Sequence, residues 1–128
     1  MGTRSQIGIM NDDGSIKTVY CHWDGYLSHN GKILLENYDT REKVLKLIEK
    51  GDMSVLAETA EDTHYYFKVD GNYYDVAPVT YEDIDSYLTA QAESWCEYFY
   101  LFNDGQWKYL TYPHRENWQD LTQEAVQV

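Results

Sequence analysis

Long apolar runs are missing from this chain, and nothing in it approaches the ~20 consecutive apolar residues that a membrane-spanning helix needs. Basic residues are scarce: 10 Lys and Arg stand against 22 Asp and Glu, for a net charge of −12. Phosphate contact requires positive charge, so this balance argues against direct binding to nucleic acid or to an anionic membrane. Cysteine is reduced to Cys21 and Cys96, which form neither a CxxC nor any other zinc-ligand spacing. Small secreted folds are stapled by more cysteines than this, so a reduced, buried pair is expected. His22, His29, His64 and His114 show no metal-ligand spacing, and there is no calcium loop and no Gly-rich phosphate loop. Neither a metal nor a cofactor is therefore expected. The opening Met-Gly-Thr-Arg-Ser-Gln fits neither a signal peptide nor a myristoylation motif, and no Asn-x-Ser/Thr acceptor occurs. A cytoplasmic protein is the expectation.

What the chain does have is enough apolar and aromatic material to fold. Hydrophobic residues make up 43% of its 128 positions, and 13 Tyr and 4 Trp dominate its aromatics, unlike any disordered composition. The length suits one domain spanning residues 1–128, because half of it would bury too little surface to stand alone. Three Asp-Gly pairs, Asp13-Gly14, Asp70-Gly71 and Asp104-Gly105, lie between β-rich runs. Glycine accepts the positive φ of a tight hairpin turn, so each pair predicts a hairpin. Ser5–Asn11 would face Ile16–Trp23 with Val19, Cys21 and Trp23 on one side, His64–Val69 would lead into the second turn, and Trp95–Phe102 would face Trp107–Tyr112. Helices fill the gaps: Gly31–Tyr38, a segment opened by a capping box at Asp39–Glu42 and closed by Gly51, and one opened by Thr80–Asp83. A further helix is expected after Pro113 from the spacing of Trp118, Leu121 and Ala125. The fold class is α+β: an antiparallel sheet of three hairpins with helices packed on it, in the order ββαα-ββα-ββα. The lone Gly8 marks either a bulge or tight packing.

Negative charge is unevenly placed. Residues 1–50 carry 7 acids and 7 bases, whereas residues 51–107 carry 12 acids and only Lys68. Among those acids are Asp70, Asp75, Glu82, Asp83, Asp85, Glu93, Glu97 and Asp104, interleaved with Tyr65, Tyr66, Tyr73, Tyr74, Tyr98 and Tyr100. Tyrosine supplies contact area at low entropic cost, so these residues are candidates for contact with a basic protein surface. A wide sheet that uses Tyr as its half-wet residue accounts for the same composition.

The densest chemistry lies in Tyr20-Cys-His-Trp-Asp-Gly-Tyr26. With Asp13-Gly14 as a two-residue loop, Trp23 would face Arg4 and His22 would face Ser5. Arg4, Ser5, His22, Trp23 and Asp24 would then gather at the open end of the first hairpin. Three readings stand: a structural cluster in which Arg4 pairs Asp24, a ligand pocket with Arg4 for an anion and Trp23 for stacking, and catalysis by His22 oriented by Asp24. No catalytic residue is assigned, since His-x-Asp is common and no nucleophile pattern accompanies it.

The opening Met-Gly-Thr-Arg-Ser-x-Ile-Gly-Ile, the Val-Tyr-Cys-His-Trp-Asp-Gly-Tyr run and the segments Gly31–Tyr38 and Val44–Leu56 resemble a family of small proteins from tailed bacteriophages and prophages. That family has no assigned activity and transfers no catalytic residues. The resemblance covers residues 1–56 and implies a setting: an accessory protein in bacterial cytoplasm. Composition and setting together suggest a binding protein that inhibits a host defence or nucleic-acid-handling protein. The alternative is a small-ligand protein, sequestering or less readily hydrolysing a nucleotide at the hairpin end.

Overall fold

Strand pairing begins from the turns. A computed structural model describes residues 3–66, 77–91, 96–111 and 114–127, the side chains of 114–117 excepted. Strand β1 (Ser5–Met10) folds back on β2 (Ile16–Cys21). A π-helical turn (Leu27–Gly31) runs into α1 (Lys32–Asn37), and α2 (Arg41–Ile48) follows. Three short strands come next, β3 (Met53–Val55), β4 (His64–Tyr65) and β5 (Val79–Tyr81), and then α3 (Ile84–Ala90). The chain finishes with β6 (Tyr98–Asn103), β7 (Gln106–Thr111), β8 (His114–Asp120) and a 3₁₀ turn at Ala125–Gln127. The class is α+β, and the described residues form one sheet of eight strands ordered β4-β3-β2-β1-β6-β7-β8 with β5 paired to β2.

The sheet is mixed rather than antiparallel throughout. β1 joins β6 in parallel from Ser5↔Tyr98 to Ile9↔Phe102, and β2 meets β3 in parallel at Cys21↔Met53. Parallel neighbours need a crossover connection, and here the helices between β2 and β6 provide it. Asp-Gly marks the first and third hairpins, while the turn expected at Asp70-Gly71 lies outside the described residues. His64 and Tyr65 instead pair back with Val55 and Met53. Where a helix is expected after Pro113, His114–Asp120 is instead the strand β8, antiparallel to β7, and among the described residues only the 3₁₀ turn at Ala125–Gln127 is helical there. Trp118 and Leu121 mimic helical spacing because they pack into different clusters, one on each face of the sheet.

Both faces are covered. Ile7, Ile9, Val19, Cys21, Tyr100, Phe102 and Trp107 point to the larger cluster, where Leu34, Val44, Leu47 and Ile48 of α1 and α2 meet them. Ile16, Phe99, Leu101 and Leu110 point the other way, onto Tyr87 of α3. Gly8 sits in regular β1–β2 pairing, and a Cβ there would approach Thr18 Cγ2 to 3.0 Å, so tight packing rather than a bulge explains it. The cap of α2 is Thr40, which accepts from Lys43 N at 3.3 Å, one residue later than the expected box. Asp83 likewise caps α3, leaving Thr80 and Tyr81 to β5. No helix of the described residues is long and apolar enough to cross a membrane.

Candidate functional site

The first hairpin's register decides what the Arg4–Asp24 cluster can do. Gly14 N–H donates to Asn11 O at 3.0 Å, Asn11 N–H donates to Ser15 O at 2.8 Å, and Gly14 has φ +88. The loop is therefore three residues long, Asp12–Gly14, a type I turn followed by a left-handed glycine. Asp13 stabilises it by accepting from Ser15 N and Ser15 Oγ, and those bonds hold its carboxyl below the usual range. Ser5 consequently faces Cys21, not His22, so the expected pairing was one residue out. Because strand side chains alternate, that single step sends Ser5 to one face and Arg4 and His22 to the other.

On the inner face Ser5 joins a closed polar network. Asn30, fully buried, donates through Nδ2 to Ser5 Oγ and to Cys21 Sγ, each at 3.3 Å, and accepts from His29 Nδ1 at 2.9 Å. Gly25 N–H donates to Thr3 O at 2.7 Å, and Tyr100 OH donates to Gly25 O at 2.6 Å. A side chain at position 25 is excluded, since its Cβ would lie 2.8 Å from Ser5 Cβ. Cys21 is a free, buried thiol that burial pushes up to about 11, so it is no nucleophile at neutral pH.

On the outer face His22 Nδ1 lies 2.7 Å from the Tyr20 hydroxyl. Burial drives that phenol up to about 12, so it stays protonated and can supply the hydrogen. Tyr20, not Asp24, is thus the partner that orients His22. Asp24 occupies a left-handed turn position, φ +58, and its carbonyl accepts from Asn30 N–H. Trp23 lies past the end of β2, 42% exposed and edge-on to His22 with ring centroids 4.7 Å apart. Among the described residues neither an Arg4–Asp24 ion pair nor stacking of Arg4 on Trp23 forms. Asp52, which the sequence reading missed, fills the gap on β2 between β5 and β3 by accepting from Tyr20 N–H at 2.9 Å. Its partial burial pushes the carboxyl from 3.8 up to about 6. The only sequence signal for this was the turn glycine before it, Gly51, which has φ +89.

Strand direction governs the acidic candidates. β1, β5, β6 and β8 all run the same way, so their C-terminal ends share one end of the sheet. Asp104 ends β6, Asp120 ends β8, and Glu82, Asp83 and Asp85 follow β5 into α3. Asp12 and Asp13 join them after β1, although the first half of the chain is neutral as a whole. β5 and β8, the outermost of these strands, are five strand spacings apart, so this rim is about 24 Å across. Glu97 is not part of it, because it starts β6 at the opposite end, roughly 23 Å from Asp104. Asp70, Asp75 and Glu93 lie outside the described residues.

Among the described residues two clefts open at this end, on the face that carries α1 and α2. One of about 390 Å³ lies between the two hairpin turns, and one of about 350 Å³ lies on the far side of Gly105. Among the described residues no group of three His, Cys, Asp or Glu is arranged to hold a metal ion. No protein-family model, curated protein or solved structure matches the chain.

Proposed function

We propose that this protein works by binding, presenting the acidic end of its sheet to a basic partner protein. The observation that carries the reading is the shared direction of β1, β5, β6 and β8, which collects Asp12, Asp13, Glu82, Asp83, Asp85, Asp104 and Asp120 at one end. Such a concentration of carboxylates attracts cationic surfaces and repels phosphate. In the phage setting that the resemblance implies, the partner is a host defence or nucleic-acid-handling protein in the bacterial cytoplasm. Its phosphate-binding groove would be occupied by carboxylates and tyrosines instead. The buried thiol of Cys21 and the His22–Tyr20 contact support binding over catalysis. Pulldown from host lysate, followed by salt titration, tests the reading. A partner that is released as salt rises, and that a variant carrying Asp12→Asn, Glu82→Gln, Asp85→Asn and Asp104→Asn fails to capture, is the expected result. Capture that is absent at low salt, or indifferent to those four substitutions, overturns it.

A second reading concerns the opposite end of the first hairpin. The exposed Trp23 indole beside His22, with Arg4 on the adjoining strand, favours a small anionic ligand with a ring to stack, such as a nucleotide. A thermal-shift screen against nucleotides should raise the melting point of the native protein and not that of Arg4→Ala.

A further inference from the structure

The two clefts lie on either side of one turn, and the turn is low. Asp104 and Gly105 form a two-residue loop with φ +51 and +78, and Gly105 brings no side chain to the ridge between the clefts. A Cβ placed at Gly105 would meet nothing within 4 Å, so the space above the ridge is open. The clefts therefore read as one groove running from the Asp12–Gly14 loop, over Gly105, to the end of β8. The residues joining α1 to α2 form its far wall, pinned by a 2.7 Å bond from Trp107 Nε1 to Tyr38 O.

The lining is amphipathic in a specific way. Phe102 underlies the first cleft, and Leu35, Trp107 and Leu121 underlie the second. Each cleft carries two carboxylates: Asp12 and Asp104 in the first, Asp39 and Asp120 in the second. Among the described residues the one cation in the lining is Arg41, whose guanidinium is already spent on Met10 O at 3.0 Å and Asn11 Oδ1 at 2.9 Å. Lys43 and Lys108 stand outside the lining and pair with Asp39 at 3.0 Å and Asp120 at 3.7 Å. Both pairs are well exposed, so either lysine is readily displaced.

We infer that this groove seats an extended basic segment of a partner protein, with one Lys or Arg side chain in each cleft. The alkyl stem of each side chain would lie over the aromatic and aliphatic floor while its charged tip reaches the carboxylates, as long basic side chains do at apolar surfaces. Gly105 lets the intervening backbone cross between the clefts. Lys43 and Lys108 act as internal competitors for the second cleft. The inference rests on the acidic-end reading above and assigns it a site.

The test uses the full chain and a short peptide alternating Lys and Ser, with a Glu-Ser peptide as counterpart, followed by calorimetry at low ionic strength. The native protein should bind the Lys peptide and not the Glu peptide. Asp104→Asn and Asp120→Asn should each weaken binding about threefold, and together about tenfold. Asparagine tolerates the left-handed position at 104, and unchanged melting points will show the variants folded. Lys108→Gln should tighten binding about twofold. Glu82→Gln with Asp85→Asn removes equal charge from the same end of the sheet but outside the groove, and should cost less than twofold. Equal losses from both double variants would overturn the groove and leave a diffuse acidic field, so the broader reading would survive. Absence of Lys-peptide binding to the native protein would overturn both.

Discussion

Tyr100 reaches from the middle of β6 to place its hydroxyl 2.6 Å from the carbonyl of Gly25, tying the sheet's centre to the loop that follows β2. Beside that contact, Asn30 bonds Ser5, Cys21 and His29 with no solvent access. Buried polar groups left without partners are costly, and here several would be orphaned together. Asn30→Ala should therefore lose about 2–3 kcal/mol, and Tyr100→Phe about 1–2 kcal/mol. Urea unfolding with an unchanged slope and a lowered midpoint would confirm the losses; unaltered midpoints would show that the network contributes nothing.

Asp52 makes a pH-dependent contribution of known sign. Its folded carboxyl lies near 6 against an ordinary 3.8, so the folded state holds the proton more tightly than the unfolded chain. The associated stability is present below about pH 4 and is lost as pH rises through 6. Allowing for partial solvent access, the loss is about 1–2 kcal/mol. Asp52→Asn keeps an acceptor for Tyr20 N–H and removes the titration. The variant should melt higher than the native protein at pH 7.5, with the difference vanishing at pH 4. A variant that melts lower at both pH values would disprove this assignment.

Tyr87 is 1% exposed on α3, and its hydroxyl has no hydrogen-bond partner among the described residues. Burial raises its pKa well above the ordinary value, so the group stays a neutral phenol in an apolar cluster. Tyr87→Phe should stabilise the protein by about 1 kcal/mol, seen as a higher melting temperature. A drop on substitution would mean that the hydroxyl is satisfied in solution.

Gly8 tests packing across the first hairpin. Alanine there relieves backbone entropy, but its methyl would press on Thr18 Cγ2 at 3.0 Å and Ile16 Cγ2 at 3.3 Å. Gly8→Ala should cost about 1–3 kcal/mol, and Thr18→Ser should recover much of it. A double-mutant cycle with no coupling between the two positions would refute the contact.

Much of this fold is legible in the residues, and the failures have physical causes. Asp104-Gly105 behaves as its sequence implies, because both residues adopt positive φ and the loop closes in two. Asp13-Gly14 does not, since Ser15 offers Asp13 two hydrogen bonds that stabilise a three-residue loop. That difference moved every cross-strand partner by one, and with it the candidate site. Periodicity finds α2 because its apolar face is strong, whereas Val79–Tyr81 reads as strand only once β2 offers it an edge. Charge counted along the chain placed the acids in residues 51–107. Their grouping depends on strand direction, which the parallel joining of β1 to β6 sets, and no local signal encodes a contact between residues that far apart.

The same junction bears on how the chain is made. β1 leaves the ribosome well before its second neighbour, β6, which begins at Tyr98. Until β6 emerges, Ile7 and Ile9 stand in a strand with one unpaired edge, a template for wrong partners. Closing so long a loop to pair two strands in parallel delays the final step. Any partner or chaperone that guards that open edge would thus act before the molecule is finished.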